Sequence, residues 1–331
     1  MGLPEEVKAA IRDEIEECDK YPDPFCRELV SALSEYENVD EKYLLCSNGA
    51  AEIIFRLSLA LKPKKALIFA PTFADYEKAL HTVECVIEYY LLEEENEFCV
   101  MDNFLEKIDK DTDIIIICNP NNPTGQLCRK DFLKKVLDRA RENNTFVMVD
   151  ECFMEFVDEP QDYTVKEFLK YYENLLILKA FTKIFAMPGL RLGYGITSNY
   201  ELIEKMRLCG QDWSVSNLAQ TAGICALKQE KYLAETKQLI KTEKKYLINN
   251  LEKMGFVIVG SKANYVFLKA NNIAQLEKKL LSKGILIRSC SNYINLNAEF
   301  YRVAVKNSTD NKRLIKAIGE VMKNENSNDS N

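Results

Sequence analysis

The sequence predicts a two-domain α/β protein whose larger domain contains a mostly parallel β-sheet. From Lys65 to Thr197, short apolar runs alternate with amphipathic segments, which is the pattern of strands joined by helical crossovers. After Ser214 the pattern changes to long charged amphipathic segments and short strands. The length of 331 residues suits one large domain with a smaller companion.

Six short apolar runs are the candidate strands of the larger domain: Ala66 to Ala70, Val86 to Leu91, Asp113 to Cys118, Thr145 to Asp150, Leu175 to Lys179 and Gly193 to Thr197. Apolar residues recur at helical spacing from Phe132 to Ala140. This segment is therefore predicted to be a helical crossover between the third and fourth strands. Further helices are expected at Ile53 to Leu61 and at Ala74 to Thr82.

The smaller domain is expected to begin with a helical stretch and a long amphipathic helix, Lys231 to Met254. The remaining candidates are strands Val257 to Val259 and Tyr265 to Lys269, helix Ile273 to Ser282, strands near Ile285 and at Tyr301 to Val305, and helix Asp310 to Met322. We expect residues 32–205 to form the large domain and residues 1–31 and 206–323 the small one. The polar tail, 324–331, is expected to be disordered. No linker is recognisable, so the domains should pack directly together.

Composition and charge point to a small ligand. The formal charge of −7 and the lack of a longer basic run than Lys62-Pro63-Lys64-Lys65 argue against a nucleic-acid or membrane surface. Eleven cysteines, an odd number without a C-x-x-C pair, indicate a reducing compartment, and we expect a cytoplasmic protein. The single histidine, His81, lies in a predicted helix, so neither a histidine triad nor a metal site is expected.

Two reactive residues follow predicted strands. Asp150 ends a strongly apolar strand, and ligands bind at such strand ends in open α/β sheets. Lys183 follows the next strand among apolar neighbours, which would shield its amine, lower its pKa and make it a usable nucleophile. Arg191 follows eight residues later in a Pro-Gly-Leu-Arg-Leu-Gly turn and can reach a phosphate. Taken singly, a helix cap and surface charges are the commoner explanations.

Three further segments offer binding groups. The turn Ser47 to Glu52 precedes an apolar helix, so the free amides of the helix N-terminus form a candidate anion site, although a plain glycine turn is the alternative. Phe73 follows the next strand and offers a ring for stacking. Asn122 follows the Asp113 to Cys118 strand and can donate to a ligand oxygen. An amine, an acid, a phosphate cradle and a stacking face are what pyridoxal 5′-phosphate requires of a protein.

Together these motifs resemble the fold type I, or class I and II, aminotransferase superfamily across essentially the whole chain. The matching segments are Asn119 to Gly125, Asp150-Glu151, Thr182-Lys183 and Gly189 to Tyr194. The resemblance implies a fold type I pyridoxal-phosphate-dependent transferase: a homodimer with a mostly parallel, seven-stranded-type sheet domain and a smaller α+β domain. It implies that Lys183 and Asp150 are catalytic and that both bind the cofactor with Gly49, Ala50, Ala51, Phe73, Asn122, Phe153, Thr182 and Arg191. Tyr21 is implied to reach the cofactor phosphate of the partner subunit.

Within the superfamily, the sequence is most similar to threonine-phosphate decarboxylases of cobamide (cobalamin) biosynthesis and next to histidinol-phosphate aminotransferases. Phe153, where transaminases usually carry tyrosine, and the segments Asp212 to Val215 and Ile287 to Tyr293 favour the decarboxylases. The resemblance implies that Arg302 and Arg288 bind a substrate with two anionic groups, and it leaves open which arginine binds the phosphate. It implies decarboxylation of L-threonine O-3-phosphate to 1-amino-2-propanol O-2-phosphate, with serine phosphate as an open alternative.

Other functions compete with this interpretation. They are an aminotransferase for histidinol phosphate or an aromatic amino acid, a cofactor-binding effector domain of a regulator, and a simple anion-binding protein. Ala180 and Ala51 stand where relatives carry hydroxyl groups, so we expect weaker cofactor binding, by ~1.5 to 3 kcal/mol for each lost charged hydrogen bond. Met1 corresponds to a point inside the family pattern, so we expect either an upstream start or a pocket without its N-terminal segment.

Overall fold

The larger domain contains a seven-stranded sheet with helices on both faces. A computed structural model describes residues 1–271 and 273–328. The strands are β1 (Leu44–Ser47), β2 (Lys65–Ala70), β3 (Val86–Leu91), β4 (Ile114–Cys118), β5 (Phe146–Asp150), β6 (Leu175–Ala180) and β7 (Gly193–Ile196). Their order is β1-β7-β6-β5-β4-β2-β3. Only β7 is antiparallel to its neighbours, which confirms the predicted α/β fold and adds the short strand β1.

Side chains of the central strands alternate between two apolar clusters, one on each face of the sheet. In β5, Val147 and Val149 belong to one cluster, and Phe146 and Met148 belong to the other. Because successive side chains of a strand point to opposite faces, a strand that is buried on both faces is a continuous apolar run. This double burial explains why β4, β5 and β6 are easily recognised in the sequence.

Eleven α-helices surround the two sheets in the described ranges 1–271 and 273–328. They are α1 (Glu5–Glu14), α2 (Arg27–Glu37), α3 (Ala50–Leu61), α4 (Asp75–His81), α5 (Lys130–Glu142), α6 (Phe181–Ile184), α7 (Tyr200–Leu208), α8 (Asn217–Leu227), α9 (Glu230–Lys253), α10 (Leu276–Leu281) and α11 (Ser308–Asn328). The predicted crossover is α5, which buries Leu133, Val136, Leu137 and Ala140. Among the described helices, none is both long and apolar enough to cross a membrane.

The smaller domain is an antiparallel sheet of order β10-β11-β9-β8, with α9, α10 and α11 packed around it. Its strands are β8 (Val257–Gly260), β9 (Tyr265–Lys269), β10 (Arg288–Ser289) and β11 (Phe300–Ala304). The strand predicted near Ile285 is β10, and it begins only at Arg288 because the chain leaves α10 through a turn at Gly284, whose φ is +71°. The chain pairs with β11 only from Arg288 onwards.

The C-terminal helix is longer than predicted. α11 continues to Asn328. The prediction of a disordered tail from residue 324 was therefore wrong for residues 324–328. Lysine and glutamate favour helix once a packed helix is in place, and both occur just beyond Met322. Residues 329–331 lie outside the described residues. We keep residues 32–205, and 1–31 with 206–323, as proposed domain boundaries.

The two domains pack directly against each other. At Gly260, a Cβ atom would lie 1.9 Å from the carbonyl oxygen of Thr124, so only glycine allows this approach of the two backbones. Close by, the side-chain amide of Gln126 donates to the carbonyl of Val259 over 2.9 Å. These contacts fix the small domain over the loop that follows β4.

A buried ion cluster joins α2 to the large sheet. Glu37, only 2% exposed, accepts a hydrogen bond from Tyr194 over 2.6 Å and contacts the amines of Lys166 at 2.9 Å and Lys179 at 3.2 Å. Burial alone raises the pKa of Glu37, but the two ammonium groups and the Tyr194 hydroxyl lower it from 4.5 to about 2. Removal of the carboxylate would leave the buried ammonium of Lys179 poorly compensated.

Glu37→Gln should therefore lower the free energy of unfolding by about 3 to 5 kcal/mol at neutral pH. The pKa of Glu37 is depressed in the folded state, so its contribution is present above pH 4.5 and is lost as the pH falls towards 2. Denaturation of both proteins over this range should show the difference shrinking as acid is added. Glu142→Gln, which removes an exposed ion pair to Arg139, is the control and should have little effect. A pH-independent difference would contradict a stabilising role for the Glu37 charge.

Candidate active site

One cavity of about 950 Å³ lies between the carboxyl ends of the parallel strands and the small domain. It is lined by these predicted site residues: Ala50, Ala51, Phe73, Asn122, Asp150, Phe153, Thr182, Lys183, Arg191, Arg288 and Arg302. Gly49 lies directly behind the guanidinium of Arg191. Parallel strands end at the same edge of a sheet, which explains how segments far apart in sequence meet here.

Asp150 is the last residue of β5 and is held at both carboxylate oxygens. The hydroxyl of Tyr76 donates to Oδ2 over 2.6 Å, and the backbone N–H of Cys152 donates to Oδ1 over 2.9 Å. The side chain is 6% exposed and lines the cavity. The structure thus presents a buried, doubly hydrogen-bonded carboxylate to a ligand.

Lys183 lies in α6, directly after β6, and its ammonium faces the cavity. The prediction that apolar neighbours shield this amine was wrong: Lys183 is exposed, whereas Phe181 and Ile184 point into the core. Successive residues of a single helical turn point in different directions, so apolar neighbours in sequence do not cover the lysine. The Nζ atom lies 5.4 Å from the centroid of the Phe153 ring. Within the described residues, the amine of Lys183 makes no hydrogen bond or ion pair.

The turn before α3 forms an anion cradle. Gly49 has a φ of +83°, and a Cβ atom there would lie 2.5 Å from the guanidinium of Arg191. From the opposite side, Gly193 lies so close that a Cβ atom would be 2.3 Å from the amide nitrogen of Ala50. The first amides of a helix lack intrahelical acceptors, and within the described ranges those of Ala50 and Ala51 make no hydrogen bond. Two free N–H groups and one guanidinium therefore converge at this end of the cavity.

Aromatic rings and an amide line the centre of the cavity. The rings of Phe73 and Tyr76 meet edge to face at 5.6 Å, and those of Phe153 and Tyr265 do so at 5.3 Å. Asn122 is 7% exposed, and its Oδ1 accepts a hydrogen bond from Arg302. This contact leaves the amide NH₂ of Asn122 available to a ligand.

Two arginines face each other on the small-domain side. Arg288 in β10 and Arg302 in β11 are directly opposite in the antiparallel pair, so their side chains share one face of the sheet. Arg288 donates to Asn292 over 2.9 Å, and Arg302 lies over the ring of Tyr265 at 5.0 Å. Among the described residues, neither guanidinium has a carboxylate within ion-pair distance. Like charges placed directly opposite are unfavourable without a ligand between them.

The predicted cofactor residue Tyr21 and the single histidine, His81, do not line the cavity. Tyr21 is 82% exposed and contacts Trp213, with the ring centroids 5.0 Å apart and the rings tilted by 39°, so it does not reach the site of its own chain. His81 is exposed at the end of α4, as expected for a helix residue with no role in the site.

Sequence reasoning missed two tyrosines of the site. Tyr76 supports Asp150, and Tyr265 donates to the carbonyl of Asn121 over 2.7 Å while its ring contacts Phe153 and Arg302. Burial is the main cause that raises the pKa of both hydroxyls well above the ordinary value, so each remains a hydrogen-bond donor. The spacing of Tyr76 three residues after Phe73 is the one signal that could have identified it, because the turn that leads into α4 brings the two residues together: the N–H of Tyr76 donates to the carbonyl of Phe73 over 3.4 Å.

These residues fit pyridoxal 5′-phosphate. The cradle of Ala50, Ala51 and Arg191 suits a phosphate, and Asp150 suits a protonated ring nitrogen. Lys183 offers an amine without a competing partner in the described part of the chain, and Phe73 offers a ring. The size of the cavity leaves room for a substrate beside the two arginines.

Comparison with known proteins identifies the family. The family described as aminotransferase class I and II matches residues 2–318. The chain is 34% identical over 324 residues to the threonine-phosphate decarboxylase of Salmonella typhimurium, covering 97% of this chain and 88% of the relative. It is 32% identical over 326 residues to the histidinol-phosphate aminotransferase of Caldicellulosiruptor saccharolyticus, covering 97% and 89%.

A comparison with solved structures supports the same family. The histidinol-phosphate aminotransferase from Clostridium acetobutylicum superimposes with a TM-score of 0.91 at 34% identity, covering 98% of this chain and 96% of that one. The likeness in both sequence and structure extends over both domains. The protein is an enzyme that belongs to the class I and II aminotransferases, whose cofactor is pyridoxal 5′-phosphate.

Proposed function

We propose that this enzyme decarboxylates L-threonine O-3-phosphate, releasing CO₂ and 1-amino-2-propanol O-2-phosphate, as a step of cobalamin biosynthesis. The observation that carries the proposal is the opposed pair of Arg288 and Arg302, which has no carboxylate partner in the described residues. The similarity to threonine-phosphate decarboxylases supports it. Phe153, which has no hydroxyl group, supports it as well.

Two opposed guanidiniums suit a small substrate that carries two anions. Each can form charge-assisted, bidentate hydrogen bonds with a carboxylate or a phosphate. Threonine phosphate has both groups, whereas histidinol phosphate lacks the carboxylate and an aromatic amino acid lacks the phosphate. A dicarboxylic amino donor would also satisfy both arginines, so an aminotransferase is the alternative, and the products of the reaction separate the two.

The residues of the cavity account for the proposed chemistry. Bound pyridoxal 5′-phosphate supplies an electron sink for the pair released when a bond at Cα breaks. Asp150, whose carboxylate lines the cavity, would hold a proton at the ring nitrogen. Arg288 and Arg302 would hold the two anionic groups of the substrate and so select the bond to the carboxylate, rather than the Cα–H bond, for cleavage. Lys183, whose ammonium lies against Phe153, supplies the proton that replaces the lost carboxylate at Cα.

The proposal includes a homodimer. Tyr21 and Trp213 form an exposed aromatic pair, and Phe25 and Leu208 are also exposed large apolar residues. Exposed apolar patches commonly mark interfaces between proteins. In the proposed dimer, Tyr21 extends across the interface and contacts the anion cradle of the partner subunit.

Purified enzyme with cofactor and L-threonine O-3-phosphate should release CO₂ and 1-amino-2-propanol O-2-phosphate in equal amounts over many turnovers. Both products can be followed together by isotope release and mass spectrometry. Lys183→Ala should abolish turnover, whereas Lys228→Ala, an exposed lysine outside the cavity, should not. Transfer of the amino group to an oxo acid without CO₂ release would overturn the decarboxylase in favour of an aminotransferase.

Arg288→Ala and Arg302→Ala should each raise KM for threonine phosphate by about 10- to 100-fold, because each removes a charged hydrogen-bonding group. The corresponding lysine variants should recover part of the loss, since they keep the charge but not the planar fork. Arg313→Ala, an arginine of α11 that bonds backbone carbonyls, is the matched control.

The same variants identify the group that each arginine binds. The variant of the phosphate-binding arginine should lose discrimination between threonine phosphate and threonine, whereas the other variant should keep it. Steady-state kinetics with both substrates measures this directly. Unchanged KM values in both alanine variants would contradict the two-anion site.

A further inference from the structure

The carboxylate of Asp150 depends on a tyrosine that lies outside the cavity wall. Tyr76 is fully buried in α4, and its hydroxyl donates to Asp150 Oδ2 over 2.6 Å. The other oxygen, Oδ1, accepts from the backbone N–H of Cys152. Because the two donors engage different oxygens, they fix both the position and the rotation of the carboxylate.

The surroundings of Asp150 fix the direction of this hydrogen bond. Burial, followed by the charge of Asp150, raises the pKa of Tyr76 and of the neighbouring thiols of Cys118 and Cys152. All three groups therefore keep their protons, and Tyr76 donates while Asp150 accepts. Asp150 accepts both hydrogen bonds of this buried cluster and lines the cavity.

Tyr76 also supports the ring that is expected to stack on the cofactor. Phe73 precedes it by three residues, and the two rings meet edge to face at 5.6 Å. One buried side chain thus contacts both the stacking ring and the acid. The hydroxyl of a buried tyrosine needs some hydrogen-bond acceptor, and here the acceptor is the carboxylate that is proposed to bind the cofactor.

We infer that Tyr76 is a positioning residue, which holds Asp150 in line with the cofactor ring nitrogen and so strengthens cofactor binding at that nitrogen. This inference rests on the part of the proposed function that places Asp150 at the ring nitrogen, and it is independent of the substrate. If the inference is right, the Tyr76 hydroxyl should increase the affinity for a ligand only when that ligand has a ring nitrogen.

The test compares two ligands in apoenzyme without substrate. One is pyridoxal 5′-phosphate, and the other is its analogue with a C–H group in place of the ring nitrogen. Tyr76→Phe should weaken binding of pyridoxal 5′-phosphate about 10-fold, the scale of one lost hydrogen bond to a charged group, and leave the affinity for the analogue unchanged. Equilibrium titration followed by absorbance measures both affinities.

Tyr172→Phe is the matched control. Tyr172 is also buried, and its hydroxyl donates to the carboxylate of Asp138 over 2.7 Å, on α5 and outside the cavity lining. This variant should bind both ligands as the wild type does.

The outcomes separate the inference from the proposed function. Equal weakening of both ligands by Tyr76→Phe, or no weakening of either, would overturn the role of Tyr76 alone. Equal affinity of the wild type for the two ligands would overturn this inference together with the placement of Asp150. Neither result depends on whether threonine phosphate is the substrate.

Discussion

The site depends on one constraint, which is that β4, β5 and β6 run parallel and end at the same edge of the sheet. Neighbouring strands are about 4.8 Å apart, so residues at their ends come close without any special loop. Asn122 follows β4, Asp150 ends β5, and Lys183 follows β6. These strands are buried on both faces, so packing fixes the backbone positions from which the acid and the amine extend.

The anion cradle depends on a second constraint, which is the close contact between β7 and the start of α3. Gly193 has no side chain, so the backbone of Ala50 can approach it, and Gly49 leaves space for the guanidinium of Arg191. A fixed distance between the cradle and Asp150 follows, because β7 pairs with β6 and β6 pairs with β5. The small domain then adds Arg288 and Arg302 from the opposite side, held by the glycine contact at Gly260.

Much of the site was predictable from sequence because buried parallel strands are apolar runs and their ends carry distinctive motifs. Asp150, Lys183, Asn122 and Arg191 were found in this way, and the structure brings all four to one cavity. Sequence could not show that Lys183 is exposed, since adjacent residues in a helical turn face different ways. The cross-strand pairing of Arg288 with Arg302 depends on a strand register that a two-residue strand does not reveal. Tyr76 was missed because it stands among charged residues in the short helix α4, and nothing in that sequence indicates which group its buried hydroxyl contacts.

The central claim is that one cavity holds the cofactor against Asp150 and the two anions of the substrate against the two arginines. The most direct measurement is a crystal structure with pyridoxal 5′-phosphate and an unreactive analogue of threonine phosphate. We expect the ring nitrogen at Asp150, the cofactor phosphate at the amides of Ala50 and Ala51, and one anionic group of the analogue on each of Arg288 and Arg302. An analogue that contacts neither arginine, or a ring nitrogen turned away from Asp150, would contradict this claim.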